Sequence, residues 1–231
     1  MINENLDPVA LHEQYKDAKP FPHLIIDDFL VEASDISATL EETDLSNWSY
    51  DPNVSQFQVN KFWNSDLNHL PENVAMALWE LNQQLALDFF SELTGIPNLI
   101  ADPSYLGGGV HVTMTGGKLD IHADFNIHPE TGLHRRVNAL LFLNGGWRPE
   151  WNGQLELYDK DNLARPAKTV DPILNRLAVF GTTDTSFHGV PEPLACPPNR
   201  KRFSLALYYY TEDRPEEEKS PFHWASWQTK G

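Results

Sequence analysis

From Asn98 onward the chain is built of short runs in which apolar and polar residues alternate, each run cut by Gly, Pro or Asn. Alternation with a period of two sends successive side chains to opposite faces of a strand. Many short strands at close spacing read as two sheets packed over a shared core. The candidate strands are Val110–Met114, Leu119–Ala123, Val137–Leu143, Gln154–Tyr158, Leu177–Phe180 and Arg202–Thr211. Before residue 100 the signals are helical. Ser34-Asp35 precedes a helix over Ile36–Glu42, and Pro71–Leu93 carries Val74, Leu78, Leu81, Leu85, Phe89 and Leu93 at helical spacing, with Gly95 as its stop. The expected architecture is mainly β with supporting helices (α+β), a distorted jelly roll of the double-stranded β-helix type. A chain of 231 residues, 41% of them hydrophobic, can bury one sizeable core. One domain is therefore expected, with helical support over 1–97, the jelly-roll core over 98–211 and a C-terminal tail over 212–231.

A formal net charge of -16 argues against nucleic acid or an anionic membrane as partner, since both repel such a surface. Eleven of the 17 Lys and Arg residues nevertheless fall between Lys118 and Arg202, which concentrates positive charge in the jelly-roll half and is compatible with an anionic small molecule there. The single cysteine, Cys196, leaves no intramolecular disulfide and fits a reducing compartment. The first residues lack a basic segment followed by an apolar one, and no apolar run approaches the roughly 18 residues of a membrane span. A cytoplasmic location is expected. The run Glu216-Glu217-Glu218-Lys219 reads as solvated loop or tail.

The chemistry concentrates in His122-Ala123-Asp124. Two residues one position apart on a strand share a face, so an imidazole and a carboxylate aim at one point. His188, after the strand-like Leu177–Phe180 and the polar turn Gly181–Asp184, is the candidate third ligand. Two histidines and one carboxylate occupy one face of an octahedron and leave positions open, the ligand set of non-haem Fe(II) oxygenases. Downstream, alternation along Arg202–Tyr210 puts Arg202, Ser204, Ala206 and Tyr208 on one face. A guanidinium held inward calls for an anion, bound bidentately, with the Ser204 hydroxyl able to add a hydrogen bond; a dicarboxylate co-substrate is implied.

With these residues the chain resembles the prolyl-4-hydroxylase-like branch of the 2-oxoglutarate and Fe(II)-dependent dioxygenases over about residues 100–211. The resemblance rests on Thr115–Asp124, Leu141–Asn144 followed by Trp147, Asn152–Tyr158, Phe187-His188 and Arg202-x-Ser204, in matching order, and Pro22–Leu30 extends it toward the N-terminus. It implies that His122, Asp124 and His188 bind Fe(II) and that Arg202 holds the distal carboxylate of 2-oxoglutarate. O2 would be consumed, with ascorbate as an accessory reductant. Where many relatives have a tyrosine nine residues before the first iron ligand, this chain has Thr113, whose hydroxyl is a shorter donor to the co-substrate. Asn152-Gly153 stands where relatives often have Gly-Gly and keeps a bend possible. The implied activity is hydroxylation of an unactivated C–H, of a prolyl residue in a protein or peptide, with a free amino acid or other small molecule as the alternative. Asp124 keeps a carboxylate where halogenating relatives need a small residue.

Four further residues are candidate substrate contacts: Arg136 and Asn138, which share a strand face with Leu140, His128 at the edge of the turn-rich loop that runs to His134, and Trp147 in the loop before Trp151. Each has a plainer reading. The opposite phase of that strand buries Val137, Ala139 and Leu141, the loop is solvated, and Trp147 caps the core. His12, His23, His69 and His223 have no ligand pattern around them. Gly107-Gly108-Gly109 lacks the Lys-Ser or Lys-Thr of a phosphate loop, and neither H-E-x-x-H nor G-x-S-x-G occurs. The reading of a different class is a non-catalytic cupin-like module whose metal is structural.

Overall fold

A computed structural model describes residues 1–50 and 56–228. Its frame is an antiparallel sheet in the order β1 (His23–Ile26), β8 (Arg176–Gly181), β5 (His134–Phe142), β10 (Arg202–Thr211), β4 (Gly109–Ala123), β9 (His188–Val190), β6 (Leu155–Leu157) and β7 (Lys168–Val170). β2 (Gln58–Asn64) and β11 (Ser226–Trp227) also pair with β4, and β3 (Ile100–Ala101) pairs with β10. The long β4 closes the roll. Its first half pairs with β10 through Arg202↔Thr113 to Ala206↔Gly109, and its second half pairs with β9 through His122↔His188. The bend between them lies at Gly116-Gly117, where Gly116 has φ 77°. A Cβ on Gly117 would sit 2.4 Å from the Thr113 methyl, so only glycine fits the corner. The expected double-stranded β-helix is present, and two of the expected strands, Val110–Met114 and Leu119–Ala123, are halves of this one bent strand.

Four helices pack on the outer face of the larger sheet: α1 (Pro8–Lys16), α2 (Ala33–Glu42), α3 (Glu72–Glu80) and α4 (Gln84–Thr94). Phe29, Leu78, Phe89, Phe90 and Leu93 meet Val137, Ala139, Leu141, Leu205, Leu207 and Tyr209 there in the main core. The opposite face of the same strands carries Phe142, Ala178 and Phe180 against Leu155, Leu157 and Val170.

The single helix expected over Pro71–Leu93 is two helices. Gln83 is extended (φ -90°, ψ 167°) and separates α3 from α4. Buried tyrosines anchor the break. Tyr105 donates its hydroxyl to the Leu78 carbonyl at 3.0 Å and Tyr209 donates to that of Leu81 at 2.8 Å, while the Asn82 side chain donates to the Asp102 carbonyl. After the break the helical phase changes, so Leu85, expected inward, is 83% exposed. Gly95 closes α4 in the left-handed conformation as its sequence position suggests. The tail expected over 212–231 folds back onto the sheet as β11, pairing Ser226↔Ala123 and Trp227↔His122. No helix among the described residues is long and apolar enough to cross a membrane.

Tyr209→Phe removes the donor to a buried carbonyl at the helix break. Loss of that bond is expected to cost about 1–3 kcal/mol, read as a lowered urea midpoint with an unchanged slope; an unchanged midpoint would detach the break from this contact.

Candidate metal centre

The pairing of β4 with β9 sets His122 directly opposite His188, and Asp124 follows just past the end of β4. One ligand atom from each of the three side chains lies within 4.8 Å of the others. The Asp124 carboxylate is 3.5 Å from the Nε2 atoms of both His122 and His188. Each imidazole is oriented from behind. His122 Nδ1 lies 2.9 Å from the Asp120 carbonyl and His188 Nδ1 lies 3.0 Å from that of Ser186. A carbonyl only accepts, so each Nδ1 carries the proton and each Nε2 lone pair points inward, as ligands to one ion require. Burial pushes the His188 imidazole down to about 4, so it is neutral near pH 7.

Asp124 is braced by two residues of β5. Asn138 Nδ2 donates to Asp124 Oδ2 at 2.7 Å, and Arg135 Nη2 lies 3.1 Å from the same oxygen. Arg135, 1% exposed, also forks onto Asn138 Oδ1 through Nε and Nη2 at 3.0 and 2.8 Å. Its guanidinium lies over the Tyr208 ring at 3.5 Å and the Phe125 ring at 4.5 Å. Burial alone would raise the Asp124 carboxyl, but the Arg135 charge, helped by His188 and His122, holds it well below the usual carboxylate range.

These groups line a cavity of about 210 Å³ that also receives Lys61, His111, Thr113, Arg202, Ser204 and Tyr208, with Leu119, Phe142, Leu155 and Val190 as apolar wall. Arg202 donates Nε to the Gly153 carbonyl at 2.7 Å, over the Phe142 ring. The turn allows this approach because Asn152 (φ 58°) and Gly153 (φ 85°) are both left-handed and Gly153 has no side chain to strike Arg202. Among the described residues no carboxylate forms an ion pair with Arg202, and burial pushes it down to about 10. Two imidazoles and a carboxylate suit Fe(II), and a buried guanidinium without a counter-ion suits an anionic co-substrate.

Residues 108–210 match a family model described as the 2OG-Fe(II) oxygenase superfamily. Over this segment, somewhat under half of its length, the chain is similar to that superfamily. That description names Fe(II) and 2-oxoglutarate, which the ligand set of His122, Asp124 and His188 and the buried Arg202 suit. Among curated proteins it is 27% identical over 198 residues to prolyl 3-hydroxylase OGFOD1 of Mus musculus. That match takes in 84% of this chain but only 33% of the relative, so the chain spans about a third of the length of the curated protein it matches. Among solved structures it resembles a prolyl hydroxylase of Trichoplax adhaerens in complex with a hypoxia inducible factor oxygen degradation domain peptide fragment. The TM-score is 0.62 with 20% identity, covering 88% of this chain and 89% of that one. A prolyl-4-hydroxylase of Pseudomonas putida gives a TM-score of 0.60 with 20% identity over 89% of this chain and 99% of that one. These likenesses carry the double-stranded β-helix fold.

Of the residues singled out from sequence, His122, Asp124, His188, Arg202, Ser204, Thr113 and Asn138 meet in the cavity; Arg136, His128 and Trp147 do not. Between β5 and β10 the register steps from Tyr209↔Val137 to Tyr210↔Arg135. Arg136 is the extra residue of that bulge, turned away to Thr211 and Glu218, and Arg135 takes the inward place. His128 is buried beside Tyr210, its Nδ1 accepting from the backbone of Glu130 and Thr131. Trp147 packs on Trp151, Val190 and Leu194 and donates Nε1 to the Asn152 carbonyl, bracing the turn that holds Arg202. Sequence reading missed Arg135, Lys61 and Trp227. The indole of Trp227 lies 4.8 Å from the His122 ring and stacks on Phe57. The aromatic density of Phe222, Trp224 and Trp227 was the available signal for a folded C-terminal segment.

Asn138→Ala is expected to weaken Fe(II) or Mn(II) binding by about 10–100-fold, measured by metal titration of the apoprotein; unchanged affinity would remove Asn138 from the support of Asp124. His188 gains its proton at about 6.5 when unfolded but only near 4 when folded, so the unfolded chain binds more protons between those values. The melting temperature of the metal-free protein should therefore fall as pH drops from 6.5 toward 4, and a flat profile would contradict a neutral buried His188.

Proposed function

We propose that this protein is a 2-oxoglutarate- and O2-dependent Fe(II) hydroxylase acting on a prolyl residue in a protein or peptide. The observation that carries the reading is one cavity holding the His122, Asp124 and His188 ligand atoms together with the Arg202 guanidinium, which no described carboxylate pairs. The prolyl substrate is supported by the names of the mouse relative and of the two fold neighbours. It is supported too by the aromatic rim of the cavity: Phe125 and Trp227 line it, and Trp224, 60% exposed, stands edge-on to Phe125. Such a rim offers flat apolar faces to a proline ring and its neighbours.

His122, Asp124 and His188 would hold the iron, with Asp124 kept anionic by Arg135 and Asn138. When bound, the iron and 2-oxoglutarate supply the oxidising power, with succinate and CO2 as co-products. Arg202 pairs with the distal carboxylate of the co-substrate, and the Thr113 and Ser204 hydroxyls face the same space. Phe142, Leu155 and Val190 keep that end of the cavity dry, which strengthens the charge pairing. Buried Cys196, the chain's one cysteine, supports a reducing, cytoplasmic setting.

The test is to incubate the Fe(II)-loaded protein with prolyl peptides, 2-oxoglutarate and air. Succinate release should accompany gain of one oxygen atom on proline by mass spectrometry, and Asp124→Ala should abolish both. Oxygen gain on a free amino acid in place of the peptide would overturn the peptide substrate, and full turnover by Asp124→Ala would take that residue out of the site. Arg202→Ala is expected to raise KM for 2-oxoglutarate by at least about 10-fold, because a buried carboxylate loses a charged bidentate partner; an unchanged KM would move the anion site elsewhere.

A further inference from the structure

Lys61 comes from β2, upstream of the segment that matches the superfamily model, and its side chain enters the same cavity as Arg202. The strand registers explain how. Thr113 of β4 has Lys61 of β2 as its cross-strand partner on one side and Arg202 of β10 on the other. Directly opposed residues point to one face, so the three form a row with a cation at each end and a short hydroxyl between. A bulge between Val59 and Lys61, with Asn60 left-handed at φ 46°, sets this phase. Thr113 is short, and all three residues of the row line the cavity.

Among the described residues no carboxylate forms an ion pair with either cation. The Lys61 amine donates to Gln58 Oε1 at 3.3 Å, and among the described residues no carboxylate lies within ion-pair distance of it. The one acid among the described residues that line the cavity, Asp124, is already paired with Arg135. Burial pushes the Lys61 amine down to about 8, with Asp124 working against that shift and Arg202 adding to it. A desolvated ammonium and a desolvated guanidinium facing one cavity from either side of Thr113 are an arrangement that an anion between them stabilises.

We propose that Lys61 is a second cationic anchor for the distal carboxylate of 2-oxoglutarate, closing on it from β2 while Arg202 closes from β10 across Thr113. The assignment rests on the reading of Arg202 and the co-substrate given above, and adds to it a binding residue outside the matched segment.

The test is calorimetric titration of Mn(II)-loaded protein, anaerobic and without prime substrate, using 2-oxoglutarate and also 2-oxovalerate, which has the same chain length but no distal carboxylate. Lys61→Met keeps the length and apolar stem of the side chain; Lys61→Gln serves as the second neutral variant should the first fold poorly. Either is expected to weaken 2-oxoglutarate by at least about 10-fold, to leave 2-oxovalerate unchanged, and to be largely rescued by Lys61→Arg. Equal 2-oxoglutarate affinity in wild type and the neutral variants would overturn the assignment, as would an equal loss for both acids, which would mark a general disturbance of the cavity. Failure of the metal-loaded wild type to bind 2-oxoglutarate would instead sink the co-substrate reading beneath it, and this inference with it.

Discussion

The site depends on a charge pair taken out of water. Asp124 and Arg135 face each other at 3.1 Å in the interior, and removing two ions from solvent costs several kcal/mol each unless their remaining polar atoms are satisfied. Asn138 does much of that work, donating to Asp124 and accepting twice from Arg135, while the Tyr208 and Phe125 rings cover the guanidinium. Once satisfied, the pair has a consequence for everything else in the cavity. Asp124 stays a carboxylate fit to bind a metal and forms its ion pair with Arg135, and among the described residues no carboxylate pairs with Arg202 or Lys61. A cavity of this kind draws in a divalent anion, and the pairing inside is strong because Phe142, Leu155 and Val190 keep the dielectric low.

Sheet geometry delivers these groups to one place. β4 carries Thr113 before its bend and His122 after it, so a single strand brings a polar row shared with β2 and β10 to the same cavity as a metal row shared with β9. The bulge in β5 puts Arg135 beside Asn138 on the inner face, which regular alternation would not do. The C-terminal segment completes the rim. It is tied by hydrogen bonds from Asn126 to Ser220 and Pro221 and from His223 to Asp184, and it sets Trp227 against His122.

Much of this was legible before any coordinates. His122, Asp124, His188 and Arg202 are recognisable because strand alternation is local and a period of two needs only a few residues to show. The helix break at Leu81–Gln83 was not legible, because the tyrosines whose hydroxyls donate to the freed carbonyls, Tyr105 and Tyr209, are distant in the chain. Arg135 lost to its neighbour Arg136 for a related reason: a bulge is set by the partner strand, and neither residue type announces it. β2 stayed hidden because no residue of Gln58–Asn64 is fully buried and the strand shows no clean apolar face. The features that failed to show are those fixed by contacts between remote segments, and they include Lys61 and the Trp227 rim.

The central claim is that one cavity holds an iron site and a dicarboxylate site together. It is tested most directly by adding Fe(II) and then 2-oxoglutarate to metal-free protein under anaerobic conditions while recording the visible spectrum. A charge-transfer band that needs both the metal and the keto acid is the predicted result. Stoichiometric metal uptake with no such band on saturation with 2-oxoglutarate would contradict it and favour a metal held for structure alone.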